Sequence, residues 1–343
     1  MKKVIPLLAL FFFTASASAA VSPDLSPEQR DLSYDQRAEG KQLIQKLSQE
    51  QGLDPEWVRS VLADARHQPK IIAAMQRPAE KVLPWHKYRQ IFLKPGRIEG
   101  GVAFIQKHAA LFKQVEKYYG VPPSIIAAIV GVETRFGQHI GNDRVLDALA
   151  TLGFDYPPRA EFFYSELGHF LRLCKTEDLD ARSVVGSYAG AMGMPQFISS
   201  SYQAYAVDFN QNGKRDLWNE PADIIGSVAN YFSAHGWQPG GAVTARAVSS
   251  VTPPAEIERS RRETRYDYSD LAAAGIELKS APEGSTKVGL LELEGPENPE
   301  FWVGYKNFFV ITSYNHSPLY AMAVYQLSQE IEAGLAKSLA SAQ

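Results

Sequence analysis

Apolar residues repeat at helical spacing through most of this chain and alternate at strand spacing only beyond residue 240. Between residues 34 and 236 they recur every three or four positions, which indicates a series of amphipathic helices. Segments 242–248 and 286–295 alternate apolar and polar side chains, which predicts strands, and 301–314 is predicted to form one or two more. Segment 317–339 returns to helical spacing. The pattern predicts an α+β protein that is mainly α-helical.

One predicted helix, over residues 121–137, is apolar on every face. A proline pair opens it, in a turn that needs no backbone N–H donors, and Gly137 supplies a C-terminal stop. The residues between 125 and 132 are almost all aliphatic, which indicates burial on all sides. This otherwise apolar helix carries one carboxylate, Glu133, near its C-terminal end.

A carboxylate on a buried helix loses hydration, so we expect the pKa of Glu133 to be raised. A raised glutamate pKa suits a general acid that works near neutral pH. The alternative is a structural glutamate, because most glutamates near helix ends are solvated or paired, and Arg135 is available as a partner. The helix by itself leaves both interpretations open.

The first twenty residues have the pattern of a secretory signal peptide. Two lysines precede an apolar run over Val4–Phe13, and small residues suit cleavage near Ala19 or Ala20. The apolar run is shorter than the roughly 20 residues that a membrane-spanning helix needs. We therefore expect an exported, periplasmic protein without a membrane anchor.

Composition narrows the possible functions. The chain has 343 residues with 45% hydrophobic and 21% charged side chains, which is ordinary for a globular protein of two or three packed units. The net charge of −3 argues against a general nucleic-acid-binding protein, which carries a basic balance. The single cysteine, Cys174, has no partner for an internal disulfide and is predicted to be a buried small apolar residue.

The segment 186–197 is rich in glycine and alanine, which allows close approach of its backbone to other groups. No GK[ST] follows it, so it is not a phosphate-binding loop. Ser187 directly follows a glycine, so the spacing of a nucleophile elbow is absent. The chain also lacks an HExxH motif, which leaves a zinc hydrolase of that type unsupported.

The segment 208–216 matches the start of an EF-hand calcium loop. Oxygen-bearing side chains alternate along it, and a glycine occupies the tight turn. The twelfth position is Asn219 instead of the usual bidentate glutamate, so Glu220 or Asp223 would have to supply the missing carboxylate. The alternative is an Asn-Gly turn that holds no metal. The loop residues concerned are Asp208, Asn210, Asn212, Gly213, Lys214 (through its carbonyl) and Asp216.

Five blocks, spread over nearly the whole chain, resemble the soluble members of the membrane-bound lytic murein transglycosylase B family. Their appearance in this order is far more specific than any one of them alone. The blocks are ETRFG at 133–137, YPPRAEFF at 156–163, GSYAGAMGMPQF at 186–197, the Asp208 loop running into GSVANYF at 226–232, and YNHSPLYAMAV at 314–324.

The resemblance implies a lysozyme-like helical core with an accessory helical part and a small β part. We expect the signal peptide at 1–20 and an N-terminal helical part at 21–110, with the C-terminal helix 317–343 packing on it. The catalytic core with its EF-hand-like loop is expected at 111–240, and the β part at 241–316.

The family cleaves the β-1,4 bond between N-acetylmuramic acid and N-acetylglucosamine of peptidoglycan and leaves a 1,6-anhydro ring. The resemblance implies that Glu133 is the single catalytic carboxylate and that peptidoglycan glycan strands are the partner. Arg159 matches one of two adjacent arginines in the family's cleft, whereas the other position holds Pro158. The implied substrate-binding residues are Tyr88, Arg159, Ser187, Gln196, Phe197, Tyr231 and Asn315.

The resemblance also implies a structural calcium ion and no organic cofactor. The implied ligands are Asp208, Asn210, Asn212, Lys214 and Asp223. Two other functions stay open from the sequence: a muramidase that hydrolyses the same bond, and a peptidoglycan-binding protein without activity.

Overall fold

The structure, a computed structural model, describes residues 32–76, 83–248, 252–282 and 284–341. The predicted signal peptide lies outside these residues. Within them the chain forms two units, each built from two separate stretches. The first unit comprises residues 32–76 and 137–224, and the second comprises 83–136 and 225–341. The predicted division at residues 20, 110 and 240 stays a prediction.

Most of the described chain is α-helical. Two 3₁₀ segments, Arg89–Ile91 and Pro157–Arg159, also occur among the described residues. In chain order the helices are α1 (Ala38–Gln51), α2 (Pro55–Asp64), α3 (Pro69–Met75), α4 (Trp85–Tyr88), α5 (Pro95–Lys107), α6 (Ala109–Tyr119), α7 (Pro123–Thr134), α8 (Val145–Asp155), α9 (Ala160–Thr176), α10 (Ser199–Tyr205), α11 (Pro221–Ala234), α12 (Tyr268–Ala273), α13 (Lys306–Tyr314) and α14 (Pro318–Ser341).

The described strands form two small antiparallel sheets. In the first unit two short strands pair, and in the second unit four strands pair in the order β3-β6-β5-β4. The strands are β1 (Asp143–Arg144), β2 (Val185–Gly186), β3 (Thr244–Arg246), β4 (Tyr266–Asp267), β5 (Lys287–Leu293) and β6 (Glu300–Gly304).

The core of the first unit is centred on the contact between α8 and α9. Every residue from Val145 to Phe154 is buried, and α9 buries one face against it. Local signals also fix the helix ends, since the Asp54 carboxylate accepts a hydrogen bond from the Glu56 N–H at the start of α2.

The second unit is built around α7, which is buried along its whole length from Ser124 to Thr134. Helices α5 and α14 both pack against α7 and also against each other. The four-stranded sheet has its own apolar cluster, in which Leu290 lies opposite Val303. The prediction that the 121–137 helix is buried on all sides is therefore confirmed.

One strand prediction is half wrong. Residues 300–304 form β6, but Lys306–Tyr314 is helix α13. Its phenylalanine, valine, isoleucine and threonine residues favour a strand by propensity, and a short apolar run cannot be assigned by periodicity alone. Burial of this segment from Asn307 to Thr312 accounts for the helix, because tertiary packing overrides local preference.

The predicted fold class is confirmed, since the described chain is mainly helical with small antiparallel sheets. The helical pattern between residues 95 and 119 forms two helices, because α5 ends at Lys107 and α6 starts at Ala109. No helix among the described residues is both long and apolar enough to span a bilayer.

Candidate active site

Glu133 lies in the last turn of α7 and is only 5% exposed. The hydroxyl of Tyr320, from α14, donates a hydrogen bond to Glu133 Oε1 at 2.6 Å. This length is within the normal range of an O–H···O hydrogen bond. The bond engages one carboxyl oxygen of Glu133 with a donor 187 residues away in the chain.

Tyr314 and Tyr320 are both buried in the core of the second unit. Burial raises the pKa of each phenol well above its ordinary value, and the negative charge of Glu133 raises both further. Because a raised pKa keeps a phenol protonated, Tyr320 stays a hydrogen-bond donor throughout the neutral pH range. Glu133 thus lies among neutral aromatic hydroxyl groups.

The structure places two predicted tyrosines beside this pair. The ring of Tyr231 lies 4.8 Å from that of Tyr314, and its hydroxyl donates to the Ser313 carbonyl at 2.7 Å. Tyr88 is fully buried, and its electrostatic interaction with Tyr320 helps to raise the pKa of the Tyr320 phenol. Both side chains shape the surroundings of Glu133 from within the core.

Asn315 follows α13 directly and is 1% exposed. Its side-chain oxygen accepts a hydrogen bond from the Ser317 N–H at 3.1 Å. Its amide nitrogen Nδ2 has no hydrogen-bond partner among the described residues. A buried amide donor without a partner is costly, so this nitrogen is suited to donate to a bound ligand.

In the first unit the glycine-rich segment folds into a tight turn that carries three predicted residues. The Ser187 hydroxyl accepts a hydrogen bond from the Ala191 N–H at 2.9 Å, and the two backbones also bond to each other. Gly193 adopts a φ of +70°, and a side chain there would lie 2.5 Å from the Leu217 carbonyl oxygen. The glycine composition thus permits the close approach that the sequence predicted.

Gln196 adopts the left-handed conformation, with a φ of +54°. Its Nε2 donates to the carbonyls of Gly193, at 2.9 Å, and of Ile140, at 3.2 Å. Since both amide hydrogens hold the turn, the oxygen Oε1 is the atom suited to meet a ligand. Phe197 is buried, and its backbone pairs with that of Met192.

Arg159 ends the 3₁₀ segment that precedes α9. Its guanidinium lies 4.4 Å from the centre of the Phe162 ring and 5.0 Å from that of Phe163. Burial lowers the pKa of Arg159, while electrostatic interactions with Tyr156 and Glu166 act in the opposite direction. An arginine stays charged under these conditions, so it offers a fixed cation stacked on aromatic rings.

The loop that begins at Asp208 closes on itself through its side-chain oxygens. Asp208 accepts from the N–H groups of Asn212, at 3.0 Å, and Gly213, at 2.7 Å. Asn210 Oδ1 accepts from Asn212 N–H at 3.2 Å, and Asn212 Oδ1 accepts from Lys214 N–H at 2.9 Å. The oxygens therefore line the inside of one turn, which suits a hard cation with oxygen ligands.

Asp223 is fully buried and joins the two ends of this loop. Its carboxylate accepts from Phe209 N–H at 3.0 Å and from Asp216 N–H at 2.8 Å. Burial raises the pKa of Asp223, and the nearby charges of Asp208 and Glu220 raise it further, whereas the two N–H donors lower it.

The described residues contain no group of three or more histidine, cysteine or acidic side chains that could hold a metal ion. The predicted ligands are mostly amide and carbonyl oxygens, so they do not require such a cluster. Asn219 donates from Nδ2 to Asp216 at 3.1 Å and supplies no carboxylate at the twelfth position. The ligand set therefore stays a prediction.

Sequence reasoning missed Tyr314 and Tyr320 as functional candidates. Both lie in the block 314–324 that carries the family resemblance, and only Asn315 was selected from it. The signal available was a pair of tyrosines beside a conspicuous Asn-His-Ser-Pro turn. Their proximity to Glu133 depends on how α14 packs against α7, which the sequence does not reveal.

Comparison with known proteins gives a consistent result. Residues 35–329 match the family model described as the transglycosylase SLT domain. The chain is 39% identical over 329 residues to membrane-bound lytic murein transglycosylase B of Escherichia coli K12, covering 93% of this chain and 89% of that protein.

Solved structures agree with the fold. The chain matches catenated lytic transglycosylase SltB1 of Pseudomonas aeruginosa with a TM-score of 0.83 and 44% identity, covering 88% of this chain and 99% of that one. It matches Slt35 of E. coli, solved in complex with calcium, with a TM-score of 0.80 and 39% identity over 88% and 95% of the two chains.

A third structure, SltB3 of P. aeruginosa in complex with NAG-anhNAM-pentapeptide, matches with a TM-score of 0.72 and 30% identity, over 88% and 80% of the two chains. These relatives confirm the predicted family resemblance and the predicted lysozyme-like fold class.

Proposed function

Because this chain belongs to the transglycosylase SLT domain family, we propose that it is a lytic transglycosylase that cleaves the β-1,4 bond between N-acetylmuramic acid and N-acetylglucosamine of peptidoglycan and forms 1,6-anhydro ends. The observation that carries the proposal is the buried Glu133 carboxyl group with its hydrogen bond from Tyr320. One carboxyl group must serve first as acid and then as base.

In this mechanism the two carboxyl oxygens of Glu133 have different roles. Oε1 accepts from Tyr320, so Oε2 carries the proton that is donated to the glycosidic oxygen. The C1–O bond breaks, and the substrate's acetamido group stabilises the oxocarbenium-like charge. The Glu133 carboxylate that results is stabilised by the Tyr320 hydroxyl, because hydrogen bonds to a charged acceptor are the stronger ones.

The second step returns the proton to Glu133. The carboxylate takes it from the 6-hydroxyl of the muramic acid residue, whose oxygen attacks C1 and closes the anhydro ring. The bond formed to C1 replaces the bond broken, and no water is consumed. A two-carboxylate glycosidase would instead use a second acid as nucleophile or base.

The other residues that we predict to bind substrate differ in the type of interaction that each can make. Asn315 offers an unpaired donor, Gln196 an acceptor oxygen and Arg159 a fixed positive charge. Ser187 offers its hydroxyl hydrogen, because its oxygen already accepts from the Ala191 N–H. The rings of Tyr88, Tyr231 and Phe197 are buried, so each one contributes packing within its own unit.

The test is product analysis on purified peptidoglycan. Mass spectrometry of a digest should show ends lighter by one water than those of a hydrolase, and Glu133→Gln should lower their formation by roughly 10²- to 10⁴-fold while wall binding persists. Reducing ends alone would identify a muramidase. Co-sedimentation with cell walls without released fragments would identify a binding protein.

We also propose that the loop formed by residues 208–216 and Asp223 holds one calcium ion with a structural role. Support comes from its inward-facing oxygens and from the E. coli relative that was solved with calcium. The ion would neutralise the charges of Asp208 and Asp223, and no catalytic step passes through it.

Export to the periplasm belongs to the same proposal, because peptidoglycan lies outside the inner membrane. Its support is the lysine-led apolar run at the start of the chain. Cell fractionation with and without residues 1–20 tests it: the full chain should appear in the periplasmic fraction in a processed form, and the shortened chain should stay inside the cell.

A further inference from the structure

The chain just beyond Glu133 has an unusual conformation. Helix α7 ends at Thr134, and the next two residues, Arg135 and Phe136, have φ values of +51° and +58°. Left-handed backbone is uncommon for residues other than glycine, and it persists only where surrounding structure compensates its cost. Two such residues in succession lie within three positions of the proposed catalytic carboxyl group.

The side chain of Phe136 shows what compensates this cost. Its ring lies over two glycines, Gly100 in α5 and Gly131 in α7. A methyl group at Gly100 would lie 2.8 Å from the ring, and one at Gly131 would also lie 2.8 Å from it. The ring is bounded further by Phe104, with ring centres 5.6 Å apart. We call the space between these two glycines and Phe104 the Phe136 slot.

The backbone of the turn is tied to the same part of α7. Arg135 N–H donates to the Gly131 carbonyl at 3.3 Å, and Phe136 N–H donates to the Val130 carbonyl at 3.2 Å. Glu133 lies between these donors and acceptors. These two hydrogen bonds close the last turn of α7, which contains Glu133, and they connect that turn directly to Phe136.

Helix α5 also approaches the helix that carries Tyr320. A methyl group at Gly101 would lie 2.3 Å from Ile331 of α14, so α5 and α14 are in close contact through a second glycine. Gly100 thus contacts Phe136 from the turn after α7, and the adjacent Gly101 contacts Ile331 of α14.

We propose that Phe136 is a positioning residue for Glu133. Held in the slot, it fixes the end of α7 against α5 and so sets the Glu133 carboxyl group at hydrogen-bonding distance from Tyr320. The inference rests on the proposed function, in which that carboxyl group transfers the proton. Small errors in the placement of a catalytic group cost large factors in rate.

The test compares two alanine substitutions in the same helix. Gly100→Ala places a methyl group in the slot, whereas an added methyl group at Gly96, also in α5, meets nothing within 4 Å. We expect Gly100→Ala to lower kcat on soluble glycan strands by roughly tenfold to a hundredfold with little change in KM. Gly96→Ala should keep the wild-type kcat.

A double-mutant cycle with Phe136→Leu sharpens the test. Phe136→Leu alone should lower kcat by about tenfold, because the shorter side chain leaves the slot loosely filled. In the Phe136→Leu background, Gly100→Ala should cause no further loss, because the added methyl group then occupies vacant space. Equal kcat for Gly100→Ala and Gly96→Ala, or fully additive losses, would overturn the proposal.

A readout without substrate separates this inference from the proposed function. The ionisation of Glu133, followed by ¹³C NMR of labelled glutamate and assigned with Glu133→Gln, should shift in Gly100→Ala and not in Gly96→Ala. If Glu133→Gln kept full activity, the proposed function would fail whatever the slot variants do. If Glu133→Gln were inactive and the NMR titration unmoved by Gly100→Ala, the positioning role alone would fail.

Discussion

Two carboxyl groups of this protein, those of Glu133 and Asp208, accept hydrogen bonds from donors at very different separations along the chain. Asp208 accepts from backbone N–H groups four and five residues further along the chain. Glu133 accepts from a tyrosine hydroxyl 187 residues away. The first arrangement is a local turn that the sequence can encode by itself, and the second exists only when α7 and α14 are packed together.

The difference extends to the surroundings of the two groups. The turn at 208–214 is largely exposed, so water can solvate its oxygens. Glu133 is buried among neutral phenols, so a few protein groups control its surroundings. A group under such control can take up and release a proton during a reaction, whereas an exposed ring of oxygens suits a cation.

The largest loss of activity is expected when the buried carboxyl group itself is replaced. Glu133→Gln keeps the shape of the side chain and removes its acid, so we expect anhydro-product formation to fall by roughly 10²- to 10⁴-fold. Binding of glycan strands, measured by co-sedimentation, should be retained. A variant that solubilised cell walls at the normal rate would contradict the assignment of Glu133.

A smaller loss is expected when only the donor is removed. Tyr320→Phe takes away the hydroxyl that stabilises the Glu133 carboxylate, and a hydrogen bond to a charged group contributes about 1.5–3 kcal/mol. We expect kcat to fall by roughly tenfold to a hundredfold, as measured on soluble glycan strands. The alkaline limb of the pH–rate profile should move to higher pH, because the ionised form of Glu133 has lost its donor.

The matched control for that variant is Tyr325→Phe, in the same helix. The Tyr325 hydroxyl donates to the Thr244 carbonyl at 3.4 Å and makes no bond to Glu133. Its removal should leave both kcat and the pH–rate profile unchanged. Equal behaviour of the two variants would show that the Tyr320 hydroxyl has no part in the chemistry.

The smallest effect on kcat is expected when calcium is removed from the loop formed by residues 208–216 and Asp223. Calcium at a hundred times its Kd would stabilise the fold by about 2.7 kcal/mol. Each kcal/mol moves Tm by roughly 2–4 °C in a domain of about 150–250 residues. We therefore expect chelation to lower Tm by several degrees, with kcat at 25 °C nearly unchanged. Calorimetry with and without chelator measures this.

Asp208→Asn should remove most of that calcium response. Asp180→Asn is its control, because Asp180 accepts from the Arg182 N–H in an exposed turn outside the loop. A wild-type melting curve that is the same with chelator and with added calcium would count against the metal site.

The sequence by itself determined the local features of this protein. Proline at the start of α7 and apolar residues along it predicted a buried helix that carries Glu133, and alternating oxygen side chains predicted the turn at 208–214. Such signals are readable because they act over a few residues, where backbone geometry and burial follow directly from residue type.

The tertiary structure decided the rest. It made a helix of Lys306–Tyr314 against its strand-like composition, and it brought Tyr320 to Glu133 and Phe136 into the slot beside Gly100. The physical reason is that these outcomes depend on which distant surfaces pack together. A tyrosine, a glycine or a short apolar run has the same local preferences wherever its eventual neighbours lie in the chain.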